Sequence, residues 1–134
     1  MPGGLREDLP TDLKDRAEKA LDYFEKRLVD YDHMFLSNPV FKERTKGVGV
    51  LSREDAIRLG VTGPTLRASG VEFDVRKNAP YAAYEDIDFE IPVLDEGDCY
   101  ARTIVRFLEM QQSIDIVRQA LENLPAGNHK IRTH

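Results

Sequence analysis

The feature that most restricts how this chain can fold is one long helical pattern near its C-terminal end, from Asp98 to Leu124. Tyr100, Ile104, Phe107, Leu108, Ile114, Val117, Leu121 and Leu124 recur largely at three- and four-residue steps, which puts them on one stripe of a 3.6-residue helix. Gly97-Asp98 is a start signal, because the carboxylate can accept an orphan amide in the first turn. Pro125 and Gly127 supply the stop. Arg102, Arg106, Glu109, Gln112, Asp115, Arg118 and Glu122 fill the polar face, and Val105, Met110, Ile116 and Ala120 form a second apolar patch beside the main stripe. A helix apolar on more than one side packs against more than one neighbour, so part of this second patch is expected to stay bare in so short a chain.

Composition narrows the class. A chain of 134 residues, 41% apolar and 32% charged, predicts a single globular domain spanning 1–134. A net charge of −5 argues against nucleic acid as a partner, which calls for a basic surface. No apolar run approaches the ~20 residues that cross a bilayer, and Met1-Pro2-Gly3-Gly4 has neither the basic start nor the apolar core of a signal peptide. One cysteine, Cys99, cannot form an internal disulfide and fits a reducing compartment.

Along the chain, a glycine-pair segment from Pro2 to Pro10 leads to a second long helix. Leu13, Ala17, Leu21, Phe24, Leu28, Tyr31 and Phe35 alternate in steps of four and three, a narrow amphipathic seam. Asp15 with Lys19 and Asp22 with Lys26 are spaced for ion pairs along its outer face. Asn38-Pro39 ends this helix near Ser37. Ser52 reads as the cap of a short helix that stops at Gly60, and Thr62-Gly63-Pro64 starts another that ends at Ser69-Gly70. Val71, Phe73 and Val75, then Ile87, Phe89, Ile91 and Val93, alternate with polar residues and predict two short strands in a small hairpin-like segment, Pro92 marking an edge. The expected fold is therefore mainly α: two long antiparallel helices, about 12–37 and 98–124, with short helices and the hairpin-like segment between them, as part of a helical bundle.

Chemistry is sparse. His33, His129 and His134 are scattered and Cys99 has no companion thiol, so no metal site is expected. Cys99 near a helix start is favourably placed for a thiolate but lacks a base nearby in sequence, and a packing role is the plainer account. The glycines of Gly47-Val48-Gly49 lack the residues of a phosphate loop. Asp86, Asp88 and Glu90 fall on one solvated strand face. The arginines are more informative: Arg67, Arg76, Arg102 and Arg106 lie in or beside apolar elements, and Arg106 can pair with Glu109. Two readings follow. One is a solvated helix face; the other is an interior or interfacial polar network, which Tyr81 and Tyr84 could anchor through their hydroxyls.

These residues also carry a resemblance. Thr62-Gly63-Pro64-Thr65-Leu66-Arg67-Ala68-Ser69-Gly70, Asp74-Val75-Arg76-Lys77, Pro80-Tyr81-Ala82-Ala83-Tyr84, Phe89-Glu90-Ile91-Pro92-Val93, Gly97-Asp98-Cys99-Tyr100-Ala101-Arg102, Val105-Arg106 and Glu109-Met110-Gln111-Gln112-Ser113 follow in order. In that order and spacing they resemble the quinone-site subunit of respiratory complex I, the NADH:quinone oxidoreductase. That D subunit is a relative of the large subunit of nickel–iron hydrogenases. Nearly the whole chain is covered, but only an interior third or so of the family's length, which implies an excised helical-bundle portion. The resemblance implies a place beside the quinone cavity, built with a neighbouring iron–sulfur subunit, with NADH as the distal donor. It further implies a peripheral position on the cytoplasmic face of the cell membrane.

By the same resemblance no catalytic residue falls in this segment, because the His and Tyr that hold the quinone headgroup belong to an earlier part of the family's chain. No cofactor or metal is expected to bind it. Arg6, where the family often has histidine, and Asp8 would lie near the terminal cluster. Arg67, Asp74, Arg76, Tyr81, Tyr84, Arg102, Arg106 and Glu109 form the expected structural or interfacial network. The isolated piece is expected to be inactive and to self-associate, as a homodimer, over its bare stripe. The rival from another class is a stand-alone helical adaptor. A third reading is the equivalent segment of a membrane-bound hydrogenase or related quinone-linked dehydrogenase.

Overall fold

Four helices among the described residues start at side chains that take up orphan amides. The computed structural model describes Leu5 and residues 7–125. Asp98 Oδ1 accepts the Ala101 N–H at 2.7 Å and launches the longest helix. Asn38 accepts from Val40 and Phe41, Ser52 from Asp55, and Asp74 from Arg76. In chain order the helices are α1 (Leu13–Tyr31), α2 (Pro39–Thr45), α3 (Arg53–Arg58), α4 (Gly63–Arg67), α5 (Val75–Asn78) and α6 (Cys99–Glu122), with a 3₁₀ turn at Tyr84–Asp86. The protein is mainly α, and no strand forms among the described residues.

The first long helix does not remain α-helical to its end. Asp32–Leu36 is a π-helical turn, closed by the Ser37 N–H on the Asp32 carbonyl at 2.8 Å. Three of its last carbonyls find partners: Met34 in the Asn38 side chain, Phe35 in the Asn38 N–H, and Leu36 in the Tyr100 hydroxyl at 2.9 Å.

Two sides of α6 are used. One carries Ala101 and Val105, fully buried against Ala68 with Leu94 alongside. The other packs on α1 and α2, where Ile114 and Leu28 are both buried. Val105 and Ile116, from the patch expected to stay bare, are 0% and 8% exposed. Ala120 stays exposed and Met110 lines an open groove, so the patch is covered in part, as its pattern implies. Arg118 on α6 bonds Asp22 and Glu25 of α1, at 3.1 and 3.0 Å, and lies 3.5 Å from Glu18. Asp22, expected to pair with Lys26, is thus held by α6.

The hairpin-like segment is corrected. Asp74 caps α5, which converts the end of the first alternating run into a helical turn. The second run is extended but meets glutamines on α6 rather than a strand. Gln119 accepts the Asp88 N–H at 2.9 Å and donates to the Asp88 carbonyl at 2.6 Å, while Gln112 accepts the Glu90 N–H at 2.8 Å. Two side-chain amides do here what a neighbouring backbone does in a sheet.

Candidate functional site

Of the polar residues singled out in the sequence, most converge where α4, α5 and α6 meet. Arg67 ends the short α4 and is only 6% exposed. A guanidinium so placed needs partners for all its donors. Its Nε donates to Glu109 Oε1 at 2.6 Å and Nη2 lies on the same oxygen at 2.5 Å. Nη1 donates to the Phe73 carbonyl at 2.9 Å and lies 3.5 Å from Asp74 Oδ2. Glu109 therefore pairs with Arg67, 42 residues away, and not with Arg106 as the helical spacing suggested.

Asp74 is the second hub, 4% exposed. It accepts the Arg76 N–H at 3.0 Å and takes the Arg76 guanidinium bidentately, at 2.9 and 2.6 Å. The Arg76 hydrogen bond holds the Asp74 carboxyl below the usual carboxylate range, outweighing burial, and Asp74 in turn raises Arg76. Arg76 stacks over Phe89 at 4.9 Å and Tyr84 at 5.8 Å. Tyr84 meets Phe89 edge-on at 6.2 Å and Tyr81 at 5.0 Å. Ala82 takes a left-handed φ of 51°, a turn costing about 1 kcal/mol that sets the two tyrosine rings against each other. Two arginines and two carboxylates balance, and no buried side-chain N or O among the described residues lacks a partner. Such a cluster fixes geometry and leaves no group primed to attack or abstract.

Arg102 and Arg106 lie apart from it. Arg102 clamps a loop crossing, with Nη1 on the Gly97 carbonyl at 2.6 Å, and Nη2 on the Gly49 carbonyl at 2.9 Å and near Cys99 Sγ at 3.2 Å. Arg106 donates back to the Arg102 carbonyl at 2.7 Å and is exposed. Asp98, which in the sequence reads only as a cap, is a buried charge at 5% exposure that also accepts the Gly47 N–H at 2.7 Å. Burial pushes its carboxyl up, but the Ala101 and Gly47 amides overcome this and leave it below its ordinary value. The helical pattern assigns Gln112 and Arg118 to the polar face and passes over Gln119, yet all three hold neighbouring segments. The spacing of two glutamines seven apart, matched to alternate residues of an extended run, is the signal that finds two of them. Asp8 is exposed and accepts its neighbour Leu9 N–H at 2.8 Å; Arg6 lies outside the described residues. No three His, Cys, Asp or Glu side chains converge as metal ligands among the described residues, and no helix there is long and apolar enough to cross a membrane.

Known proteins give this arrangement a lineage. The model of the respiratory-chain NADH dehydrogenase 49 Kd subunit matches residues 1–134. The D 2 subunit of the NADH-quinone oxidoreductase of Rhizobium etli (strain CIAT 652) is 46% identical over 129 residues, covering 96% of this chain and 32% of that protein. The D subunit of the F(420)H(2) dehydrogenase of Methanosarcina mazei is 47% identical over 125 residues, 93% of this chain and 33% of that one. Among solved structures, a chain of the membrane-bound sulfane sulfur reductase, an archaeal respiratory membrane complex, superposes with a TM-score of 0.92 at 41% identity, covering 99% of this chain and 36% of its own. The chain thus spans about a third of the length of these relatives. With a match over every residue from 1 to 134, the protein belongs to the respiratory-chain NADH dehydrogenase 49 Kd subunit family.

Proposed function

We propose that this chain is a structural portion of the quinone-reducing subunit of a respiratory NADH:quinone oxidoreductase. The match over its whole length carries the reading. In it, α1 and α6 pair antiparallel within the subunit's bundle, and the Arg67–Glu109–Asp74–Arg76 cluster locks the intervening segment onto α6. The segment binds no quinone, cluster or NADH itself; it supports the wall of a cavity shared with an iron–sulfur subunit, on the cytoplasmic face of the membrane. The self-balanced cluster supports a positioning role, since every charge in it is already spent on a neighbour.

The test is a graft. Placed in the matching segment of the Rhizobium etli relative, the chain should support assembly and NADH:quinone turnover in membranes, while the purified chain alone turns over nothing. Turnover by the chain alone, or a graft that never assembles, overturns the reading.

A second reading keeps the subunit and changes the electron donor or acceptor. Identity to the F(420)H(2) dehydrogenase relative is as high as identity to the NADH-linked one, which favours it. Membranes from the source organism that reduce quinone with reduced F420 and not with NADH would decide for it.

A further inference from the structure

An apolar groove of about 420 Å³ opens between the π-helical turn, α2 and α6, lined by Tyr31, Phe35, Leu36, Phe41, Phe107 and Met110. Its rings are partly bare: Phe35 is 45% exposed and Tyr31 38%. An open apolar concavity between helices is the kind of site an amphipathic helix fills with anchors at i, i+3 and i+4. The rim has its own sign. Arg106 lines the groove, Lys46 sits 5.0 Å over the Tyr100 ring, which is itself 6.2 Å from Phe41, and Arg44 is exposed on α2, about 60° around from Phe41. The nearby carboxylates are spent or turned away. Asp30 pairs with Arg27 at 2.8 Å, Asp32 lines the separate cavity beside Leu28 and Gln111, and Glu43 lies on the far side of α2, about 200° from Phe41. A cationic rim on a chain of net charge −5 selects by sign.

We infer that this groove takes an amphipathic helix whose apolar stripe is flanked by carboxylates, and that the helix comes from the same subunit. In the relatives the matched part is about a third of the chain, so each carries further sequence from which such a helix can be drawn. This rests on the reading of the chain as a portion of a longer subunit.

The test uses two synthetic helical peptides with one leucine stripe, one flanked by glutamates and the other by lysines, titrated onto the 134-residue chain. The glutamate peptide should bind at least about tenfold tighter at low salt, and the ratio should shrink toward one in about 0.5 M salt. R106E, exposed and unlinked to the core, leaves Lys46 and Arg44 on the rim and should shrink the preference several-fold with an unchanged circular dichroism spectrum. F107D should abolish binding of both peptides. The full-length Rhizobium etli relative should bind neither peptide, its groove being already filled. Equal binding of the two peptides, a lysine preference, or no binding overturns the charge assignment. A stable dimer of the chain that buries the groove makes a second copy the occupant and overturns the helix. Full-strength binding by the full-length relative overturns the same-subunit source. The peptide titration reads the groove alone, so its failure leaves the graft result of the parent reading untouched.

Discussion

Replacing Arg67 with methionine removes the centre of the buried cluster while keeping most of its volume. Glu109 then loses the cation it pairs with, and the Phe73 carbonyl loses its donor. Asp74 is spared, because Arg76 holds it bidentately. Breaking a buried ion pair from one side costs about 3–5 kcal/mol. The Glu109 side chain keeps 17% exposure, and water reaching it argues for the low end, about 3 kcal/mol. A domain of this length has about 7–20 kcal/mol of stability in all, so the variant should still fold. In urea, with a slope of about 2 kcal/mol per molar, the midpoint should fall by about 1.5 M. The decisive comparison is the double variant R67M/E109L. Removing the stranded carboxylate as well should recover about 1–2 kcal/mol relative to R67M. A loss below about 1 kcal/mol for R67M, or a double variant no better than the single one, would refute the buried-pair reasoning.

Three further expectations follow from other contacts. Q119L removes both bonds to Asp88, so the Asp88 amide should exchange with solvent about tenfold faster while amides of the Val105 turn keep their protection; unchanged Asp88 exchange would deny the glutamine pairing. G97A sets a methyl against the Leu51 carbonyl oxygen at a φ of +64°, and should cost more than about 2 kcal/mol in thermal unfolding, against about 1 for G60A, where φ is +65° and nothing lies close. Asp74 and Asp98 both sit below their ordinary value of 3.8 in the folded chain. Their contribution is present above the unfolded value and lost as pH falls through the lower folded one, so stability should drop below about pH 4, and D74N should flatten that drop. A D74N chain with the wild-type acid limb would remove Asp74 from this account.

Local chemistry is readable in the chain, and long-range pairing is not. Asp98, Ser52 and Asn38-Pro39 mark helix boundaries because a cap is a contact over two or three residues, visible as spelling. The alternation of Val71, Phe73 and Val75 has the period of a strand, yet Asp74 within it is also a good cap, and the tertiary bond from Arg67 to the Phe73 carbonyl favours the helical outcome. Glu109 has Arg106 one turn away and Arg67 42 residues away; nothing in spacing tells that burial selects the distant one. The π-helical turn is equally silent, since its carbonyls are satisfied by Asn38 and Tyr100 from outside the run. Arg67, Asp74, Arg76, Tyr84 and Glu109 stand out in the sequence as a set and meet in space, with Tyr81 attached by its ring. Arg102 and Arg106 enter that set on the same ground as Arg67 and Arg76, a place in or beside apolar elements, but bond to backbone carbonyls elsewhere.

The glutamine pairing couples two different rulers. Two residues of extended chain advance about 6.6 Å, whereas the seven residues from Gln112 to Gln119 advance about 10.5 Å along the helix axis and return to nearly the same azimuth. One residue inserted between those glutamines would swing one of them through about 100° and unhitch it from its mate. That span of α6 should therefore accept exchange of letters far more readily than any change of length, whereas the turn after Asn78 can grow or shrink without disturbing either hitch.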